Sequence, residues 1–136
     1  AKNVEVDRAD EVIFGYTCAN DVTARDLQNS DGQWTRSKSF DTFCPLGPWI
    51  DTDFIPGTQQ ITATLDGDIK QDGKLSQMIF DVPTIVEFVS KVMTLLPGDV
   101  IITGTPAGIG PMPEKSTITI AIDGLGELTN KVSARG

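Results

Sequence analysis

The chain has 136 residues, with 39% hydrophobic and 22% charged side chains, which is typical of one globular domain with an adequate core. Its formal net charge of −8 argues against nucleic acids and anionic membranes as partners, because proteins that bind them carry a clustered basic surface. The chain contains no histidine, so acid–base or metal chemistry would have to use carboxylates, lysine, hydroxyls, amides or water.

The two cysteines, Cys18 and Cys44, do not form a CxxC pair or a disulfide framework, which favours free thiols in a reducing compartment. No apolar run approaches the roughly 18 residues of a transmembrane helix, and no signal-peptide pattern follows Ala1. We therefore expect a cytoplasmic protein. Because the chain begins at Ala1 without an initiator methionine, we also expect a processed or truncated piece.

The first third of the chain predicts short elements. Residues 3–14 predict a short helix that enters a strand at its end. The strand is predicted over 13–19, which is rich in β-branched and aromatic residues. A single helical turn is expected over 23–27. The sequence Asn-Ser-Asp-Gly over 29–32 is typical of a turn. Residues 44–51 are expected to form an irregular crossing segment that becomes extended.

The remainder predicts antiparallel strands around one helix. Apolar residues alternate over 59–65, the pair Asp66-Gly67 is typical of a tight hairpin, and Asp72-Gly73 indicates a second turn. An apolar stripe at helical spacing predicts a helix over 83–93. The other predictions are a buried strand over 100–103, a loop over 104–113, and strands over 117–122 and 127–132 joined by a turn. The pattern indicates one mainly β (β-rich α+β) domain over 1–136.

Asp21 and Lys38 are the first candidates for chemistry. Asp21 directly follows a predicted strand, which suits a rigidly held ligand for a hard cation, because Mg²⁺ and Ca²⁺ bind oxygen donors. Lys38 would hold a substrate carboxylate or enolate if it lies in a cleft. The residue types leave two structural roles open as alternatives. Asp21 would stabilise a turn or cap a helix, and Lys38 would be a solvated side chain on a charged loop.

Two further features suggest a binding site. Arg25 and Gln28 are three residues apart, so a helical turn would place them on one face beside Asp21, although local pairing within the helix explains them equally. A glycine-rich loop over 104–110 follows a predicted strand, and backbone N–H groups with the Thr105 hydroxyl would suit a carboxylate. The loop lacks the lysine of a phosphate loop, and a purely structural turn remains the alternative.

Four ordered motifs resemble the fumarylacetoacetate hydrolase family. They are GYTxANDVTARDLQ over 15–28, DGQWTRxKSFDTFCPLGPW over 31–49, MIF over 78–80 and PGDVIxTGTPxGIG over 97–110. The resemblance extends from about residue 3 to residue 132. Within the family it is closest to the bacterial branch of homoprotocatechuate-pathway isomerase/decarboxylases, acylpyruvate hydrolases and oxaloacetate decarboxylase-like enzymes.

The resemblance implies a sandwich-like β-roll with few helices and an enzyme that depends on Mg²⁺, Mn²⁺ or Ca²⁺. Such an enzyme acts on 2-oxo carboxylic acids through an enolate, by C–C hydrolysis, decarboxylation or isomerisation, in the catabolism of aromatic compounds. The isomerisation of 2-hydroxyhepta-2,4-diene-1,7-dioate is one example. The implied partners are a small oxo-acid substrate and a second copy of the chain in a homodimer.

The resemblance also implies roles for individual residues. Asp21 matches a metal ligand, Lys38 matches the lysine that contacts metal-bound substrate or water, and Arg25 and Gln28 match positions that line the substrate pocket. Thr105 matches the threonine that holds a substrate carboxylate.

The chain departs from the family pattern in one respect. Family members bind the metal with a Glu-x-Glu pair about twenty residues before the GYT strand, and a histidine motif lies further upstream; this sequence contains neither. The resemblance therefore implies the C-terminal part of a larger catalytic domain. A catalytically incomplete β-rich fragment, and a small anion-binding or assembly module, are the alternatives.

Overall fold

A computed structural model of the protein describes residues 1–133. Alternating apolar and polar side chains form a four-stranded antiparallel sheet with the strand order β4-β3-β5-β6. Its strands are β3 (Gln60–Leu65), β4 (Asp68–Lys74), β5 (Thr117–Ile122) and β6 (Gly126–Lys131).

The register of this sheet places its apolar side chains on one face. Ala63 lies opposite Ile120, and Ile120 lies opposite Leu128, so one row of the sheet contributes three buried residues. The threonines at the neighbouring positions of β3 and β5 lie on the opposite face, because successive side chains of a strand alternate between faces. The core cluster consists of Cys18, Ala63, Ile118, Ile120, Leu125 and Leu128.

A two-stranded antiparallel ribbon packs against this core. It consists of β1 (Tyr16–Ala19) and β2 (Leu46–Asp51), and the buried Cys18 of β1 contributes to the core cluster. The segment between the two strands forms two short helices, α1 (Arg25–Asp31) and α2 (Thr35–Lys38). The ribbon therefore holds both ends of the segment that carries Asp21 and Lys38.

The longest helix is α3 (Val82–Val92). Its N-terminus is capped by Asp81, whose carboxylate accepts a hydrogen bond of 3.0 Å from the backbone N–H of Thr84. A 3-10 helix over Val6–Glu11 packs on α3, and a second 3-10 helix spans Leu75–Gln77. No helix among residues 1–133 is long and apolar enough to cross a membrane.

The predicted mainly β fold, with antiparallel strands and one packed helix, is confirmed. The hairpin at Asp66-Gly67 forms as predicted, with both residues at positive φ. The first strand is shorter than predicted and begins at Tyr16. The predicted helical turn over 23–27 is the beginning of α1.

Three local predictions were wrong. Residues 29–31 continue α1 rather than forming a turn, and Gly32 ends that helix in the left-handed region at φ 69°. Asp72 and Gly73 lie inside β4, paired with Thr62 and Ile61, and a Cβ at Gly73 would lie only 3.2 Å from the side chain of Pro106. Residues 100–103 do not form a strand and are largely exposed, since no described strand lies beside them.

Candidate functional site

Asp21 lies two residues beyond the end of β1. The backbone N–H of Asn20 donates to the carbonyl of Pro45 at 3.2 Å, which extends the contact between the two ribbon strands by one residue. The Thr23 hydroxyl donates to the carbonyl of Asp21 at 3.0 Å and closes a local turn. The backbone of Asp21 is therefore held on both sides, as the position after a strand predicts.

The side chains of Asp21 and Lys38 meet. The Lys38 ammonium donates to a carboxylate oxygen of Asp21 across 2.5 Å. The side chains are 25% exposed for Lys38 and 38% exposed for Asp21, so the pair is partly shielded and still open to solvent. The Asp21 carboxylate is suited to bind a metal ion, and the Lys38 ammonium beside it is suited to bind the carboxylate of a ligand that accompanies that ion.

The position of Lys38 depends on contacts between the two short helices, which we call the α1–α2 clamp. The backbone N–H of Ala24 donates to the carbonyl of Ser37 at 2.9 Å, and the fully buried Ser37 hydroxyl donates to the carbonyl of Trp34 at 2.7 Å. Ser37 is a positioning residue that sequence reasoning missed, because a single buried serine leaves no pattern in the sequence.

An ion pair completes the α1–α2 clamp on its exposed side. Arg36 donates two hydrogen bonds to Asp31, at 2.7 and 2.6 Å. The hydrogen bond from Arg36 is the main reason that the pKa of Asp31 is lower than its ordinary value. Arg36 therefore pairs with Asp31, and Lys38 is the cation that pairs with Asp21.

Arg25 and Gln28 lie on one face of α1, as their spacing predicts. The Arg25 guanidinium donates to the side-chain oxygen of Gln28, so the two side chains pair with each other. Arg25 is exposed and Gln28 is partly buried. The contact places a guanidinium beside an amide on α1, the helix that follows Asp21 in the sequence.

Thr105 belongs to a second cluster, on the glycine-rich loop. The Gln71 amide of β4 donates to the Thr105 hydroxyl at 2.8 Å and to the carbonyl of Pro106 at 2.6 Å. Gly108 lies so close to β4 that a Cβ there would be 1.9 Å from the carbonyl oxygen of Lys70. The backbone of the loop therefore packs directly on β4. Gln71 holds the loop there by hydrogen bonds, a role that the sequence analysis did not predict.

A small hollow of about 170 Å³ lies beside the end of β1. Asn20, Val22, Thr42 and Met112 contribute to its wall, and so does Asn130, whose buried amide oxygen accepts no hydrogen bond from the described protein groups. Asp21 and Lys38 are not part of the wall. The hollow therefore adjoins the carboxylate–lysine pair without containing it.

The described residues supply one carboxylate to a possible metal site. Among residues 1–133, no group of three or more His, Cys, Asp or Glu side chains is placed to hold a metal ion. Hard divalent cations need six or more oxygen ligands, and protein sites combine one or more carboxylates with water or substrate oxygens. Asp21 alone does not complete such a site.

Comparison with known proteins gives relatives that catalyse three kinds of reaction. The chain is 54% identical, at a TM-score of 0.98, to the crystal structure of 2-hydroxyhepta-2,4-diene-1,7-dioate isomerase from Mycobacterium marinum, covering 100% of this chain and 54% of that one. The mitochondrial oxaloacetate decarboxylase of Dictyostelium discoideum is 41% identical over 130 residues, which are 91% of this chain and 60% of the relative.

The third relative was solved with a metal and an oxo-acid. Maleylpyruvate hydrolase from Sphingobium sp. SYK-6, in complex with manganese(II) and pyruvate, is 36% identical at a TM-score of 0.88, covering 98% of this chain and 49% of that one. The chain spans about half the length of the curated relatives that it matches most strongly.

The sequence profile of the fumarylacetoacetate hydrolase C-terminal domain matches residues 1–133, which are all the residues that the structure describes. Together with the backbone agreement to the Mycobacterium marinum isomerase, this match confirms the resemblance drawn from the four motifs and the expected C-terminal-like fold. The chain belongs to the fumarylacetoacetate hydrolase family.

Proposed function

We propose that the whole protein to which this chain contributes is a divalent-metal-dependent enzyme that acts on 2-oxo carboxylic acids through an enolate. Its reaction is C–C hydrolysis, decarboxylation or isomerisation, in the breakdown of aromatic compounds. The single observation that carries the proposal is the contact between Asp21 and Lys38, two residues 17 positions apart that the fold brings to 2.5 Å. A fixed pair of opposite charges at the end of a strand is suited to a metal and an anionic substrate.

The chain's own side chains have separate roles in this proposal. Asp21 would supply one carboxylate ligand to Mg²⁺, Mn²⁺ or Ca²⁺, with the other ligands from outside the described residues, and the ion would act as a Lewis acid on the 2-oxo group. Lys38 is the catalytic residue in this proposal: its ammonium stabilises the negative charge that develops on the substrate oxygen. The α1–α2 clamp holds that ammonium in place before the substrate arrives.

Three other residues bind the substrate in this proposal. The guanidinium of Arg25 and the amide of Gln28 offer N–H donors to substrate oxygens on the α1 face. The Thr105 hydroxyl, oriented by Gln71, is a donor for a substrate carboxylate. Binding the ends of the substrate at fixed points orders the reacting carbon atoms, which is a general source of rate enhancement.

The relatives support the general kind of activity. They include an isomerase, a decarboxylase and a hydrolase, and the hydrolase was crystallised with manganese(II) and pyruvate, which is itself a 2-oxo acid. The three reactions can share an enolate, because each one forms or protonates a carbanion next to a carbonyl group. One site can therefore serve all three, and substrate choice depends on the rest of the pocket.

Exchange of the pyruvate methyl protons tests this proposal directly, since it measures enolate formation before any of the three reactions. The whole protein is incubated with pyruvate and Mg²⁺ in D₂O, and loss of the methyl signal is followed by proton NMR. We expect Lys38→Met to slow the exchange by about a hundredfold or more, the usual cost of removing one charge-stabilising donor. Asp21→Asn should slow it comparably by weakening metal binding.

Asp26→Asn is the matched control for both variants. Asp26 is an exposed carboxylate in the first turn of α1 and has no role in the proposed site, so the exchange rate of the Asp26→Asn variant should stay within about twofold of that of the unsubstituted protein. A whole protein that does not accelerate the exchange, or an Asp21→Asn variant with an undiminished rate, would overturn the proposal.

We further propose that the 136-residue chain alone is catalytically incomplete. The observations that favour this candidate are the single carboxylate at the site and the match to about half the length of the relatives. The same exchange experiment, run on the 136-residue chain, tests this second proposal independently of the first. Exchange at the uncatalysed rate supports incompleteness, whereas acceleration by the chain alone contradicts it.

A further inference from the structure

Asp21 is the central residue of a tight backbone turn. The backbone N–H of Val22 donates to the carbonyl of Asn20 at 2.9 Å, which is the hydrogen bond that defines a γ-turn. Asp21 does not have a positive φ, so the turn is of the inverse kind that is common at the ends of strands. The direction in which the Asp21 side chain leaves the backbone therefore depends on the two residues that flank it.

Asn20 is held by both its backbone and its side chain. Its backbone N–H donates to the carbonyl of Pro45 at 3.2 Å, and its own carbonyl accepts the hydrogen bond of the γ-turn. Its side-chain amide donates to the thioether sulfur of Met112 at 3.9 Å. A thioether is a weak acceptor, but here it is the partner of the residue directly before Asp21.

Met112 provides a fixed point for this contact. It is partly buried and packs against the core cluster between the sheet and the ribbon. It also lies two residues beyond the glycine-rich loop, whose beginning is held on β4 by the hydrogen bond from Gln71 to Thr105. The chain that leads to Met112 is therefore anchored at both ends, and the sulfur is presented to Asn20 from a packed position.

The hollow of about 170 Å³ explains why this contact matters for the turn. Asn20 and Met112 both contribute to its wall, so the turn has open space on that side instead of packed side chains. Close packing is what normally restricts a side chain in the interior of a protein. Where packing is absent, a hydrogen bond between two wall residues is the restraint that remains.

We propose that Asn20 is a positioning residue, whose amide, bound to Met112, fixes the γ-turn and thereby directs the Asp21 carboxylate toward the site that it shares with Lys38. Asn20 does not contact the substrate in this proposal and acts through Asp21. Partners that orient a metal-binding side chain are typically worth about 10–100-fold in metal affinity or activity. The proposal rests on the proposed function, because it concerns the same site.

The affinity of the whole protein for Mn²⁺, read from the free-ion signal in electron paramagnetic resonance, tests this role without any turnover. We expect Asn20→Ala to weaken Mn²⁺ binding by about tenfold. Met112→Leu nearly conserves the volume and removes the sulfur acceptor, so it should weaken binding by about threefold, as expected for one weak hydrogen bond. Because the two side chains act as one contact, the double variant should bind Mn²⁺ about as well as Asn20→Ala alone.

Asn130→Ala is the matched control, because Asn130 is a partly buried asparagine in the wall of the same hollow and does not flank Asp21. It should leave the Mn²⁺ affinity within about twofold, and urea denaturation should show that every variant folds. If Asn20→Ala does not fold, Met112→Leu decides, because an undiminished affinity in that variant would overturn the proposal.

Three other results would also overturn it: an Asn20→Ala affinity within about twofold of the unsubstituted protein, an equal loss in Asn130→Ala, or losses that multiply in the double variant. Asp21→Asn, measured in parallel, distinguishes the two proposals. If Asp21→Asn weakens Mn²⁺ binding and Asn20→Ala does not, only the positioning role fails. If neither variant weakens binding, the proposed function fails with it.

Discussion

Asp21 and Lys38 show how much of a site depends on a few hydrogen bonds. Their meeting requires that β1 end at Ala19, that the turn at Asp21 close, and that the α1–α2 clamp bring Lys38 back. The partial exposure of both side chains keeps the pair accessible to a ligand. Exposed ion pairs contribute about 0–1 kcal/mol to stability, so this pair contributes little to the stability of the fold.

The two cysteines should differ strongly in reactivity. Cys18 is fully buried, and burial raises the pKa of its thiol, so little reactive thiolate forms at neutral or mildly alkaline pH. Cys44 is only partly buried. At pH 8 in the folded chain, iodoacetamide should modify Cys44 at least about tenfold faster than Cys18, as measured by peptide mass spectrometry.

A Cys44→Ser variant provides the control for this experiment. It should take up the reagent slowly while folded and rapidly in urea, because unfolding exposes Cys18. Equal rates at the two cysteines in the folded chain would contradict the burial of Cys18 against the sheet.

At the scale of single elements, the glycine-rich loop is defined by its contact with β4. Gly108 has φ 104°, where a side chain is strained, and a Cβ there would overlap the carbonyl oxygen of Lys70. Gly108→Ala should therefore lower the free energy of unfolding by at least about 1–3 kcal/mol, the range for backbone strain of this kind, as measured by urea denaturation.

Gly110→Ala is the matched substitution in the same loop. A Cβ at Gly110 meets nothing within 4 Å, so this change should alter the free energy of unfolding by no more than about 1 kcal/mol. A Gly108→Ala variant as stable as Gly110→Ala would show that the loop does not rest on β4 as described.

The elements that could be predicted from sequence are those with a local cause. In β3 and β5 apolar residues alternate with polar ones, and Asp66-Gly67 is typical of a tight hairpin turn. The positions of these strands and of the hairpin therefore follow from the hydrophobic period and the turn residues. The helix over 82–92 follows from its apolar stripe and the Asp81 cap. The four motifs that carry the family resemblance placed Asp21 and Lys38 in one site, and the fold brings them together.

The wrong predictions have causes outside the local sequence. Gly73 pairs with Ile61 inside β4, and Pro106, thirty-three residues later, lies close to it. Residues 100–103 have the sequence of a buried strand, but they pair with no strand among residues 1–133, and pairing with a distant segment is not encoded in four residues. Gln71 and Ser37 were missed because anchoring by a single polar side chain leaves no periodic signal.

At the scale of the whole molecule, the proposed function needs more polypeptide than residues 1–133. Within these residues no group of three or more His, Cys, Asp or Glu side chains is placed to hold a metal ion, and the chain spans about half the length of its curated relatives. Under the proposed function, the other metal ligands would therefore come from polypeptide outside residues 1–133.

The most direct measurement is the affinity of the whole protein for Mn²⁺, read from the free-ion signal in electron paramagnetic resonance. If Asp21 is a metal ligand, Asp21→Asn should weaken Mn²⁺ binding by more than about tenfold, because a hard cation loses a charged oxygen donor. Asp26→Asn should leave the affinity unchanged. Equal Mn²⁺ affinities for the unsubstituted protein and the Asp21→Asn variant would contradict the central claim that this carboxylate faces the metal.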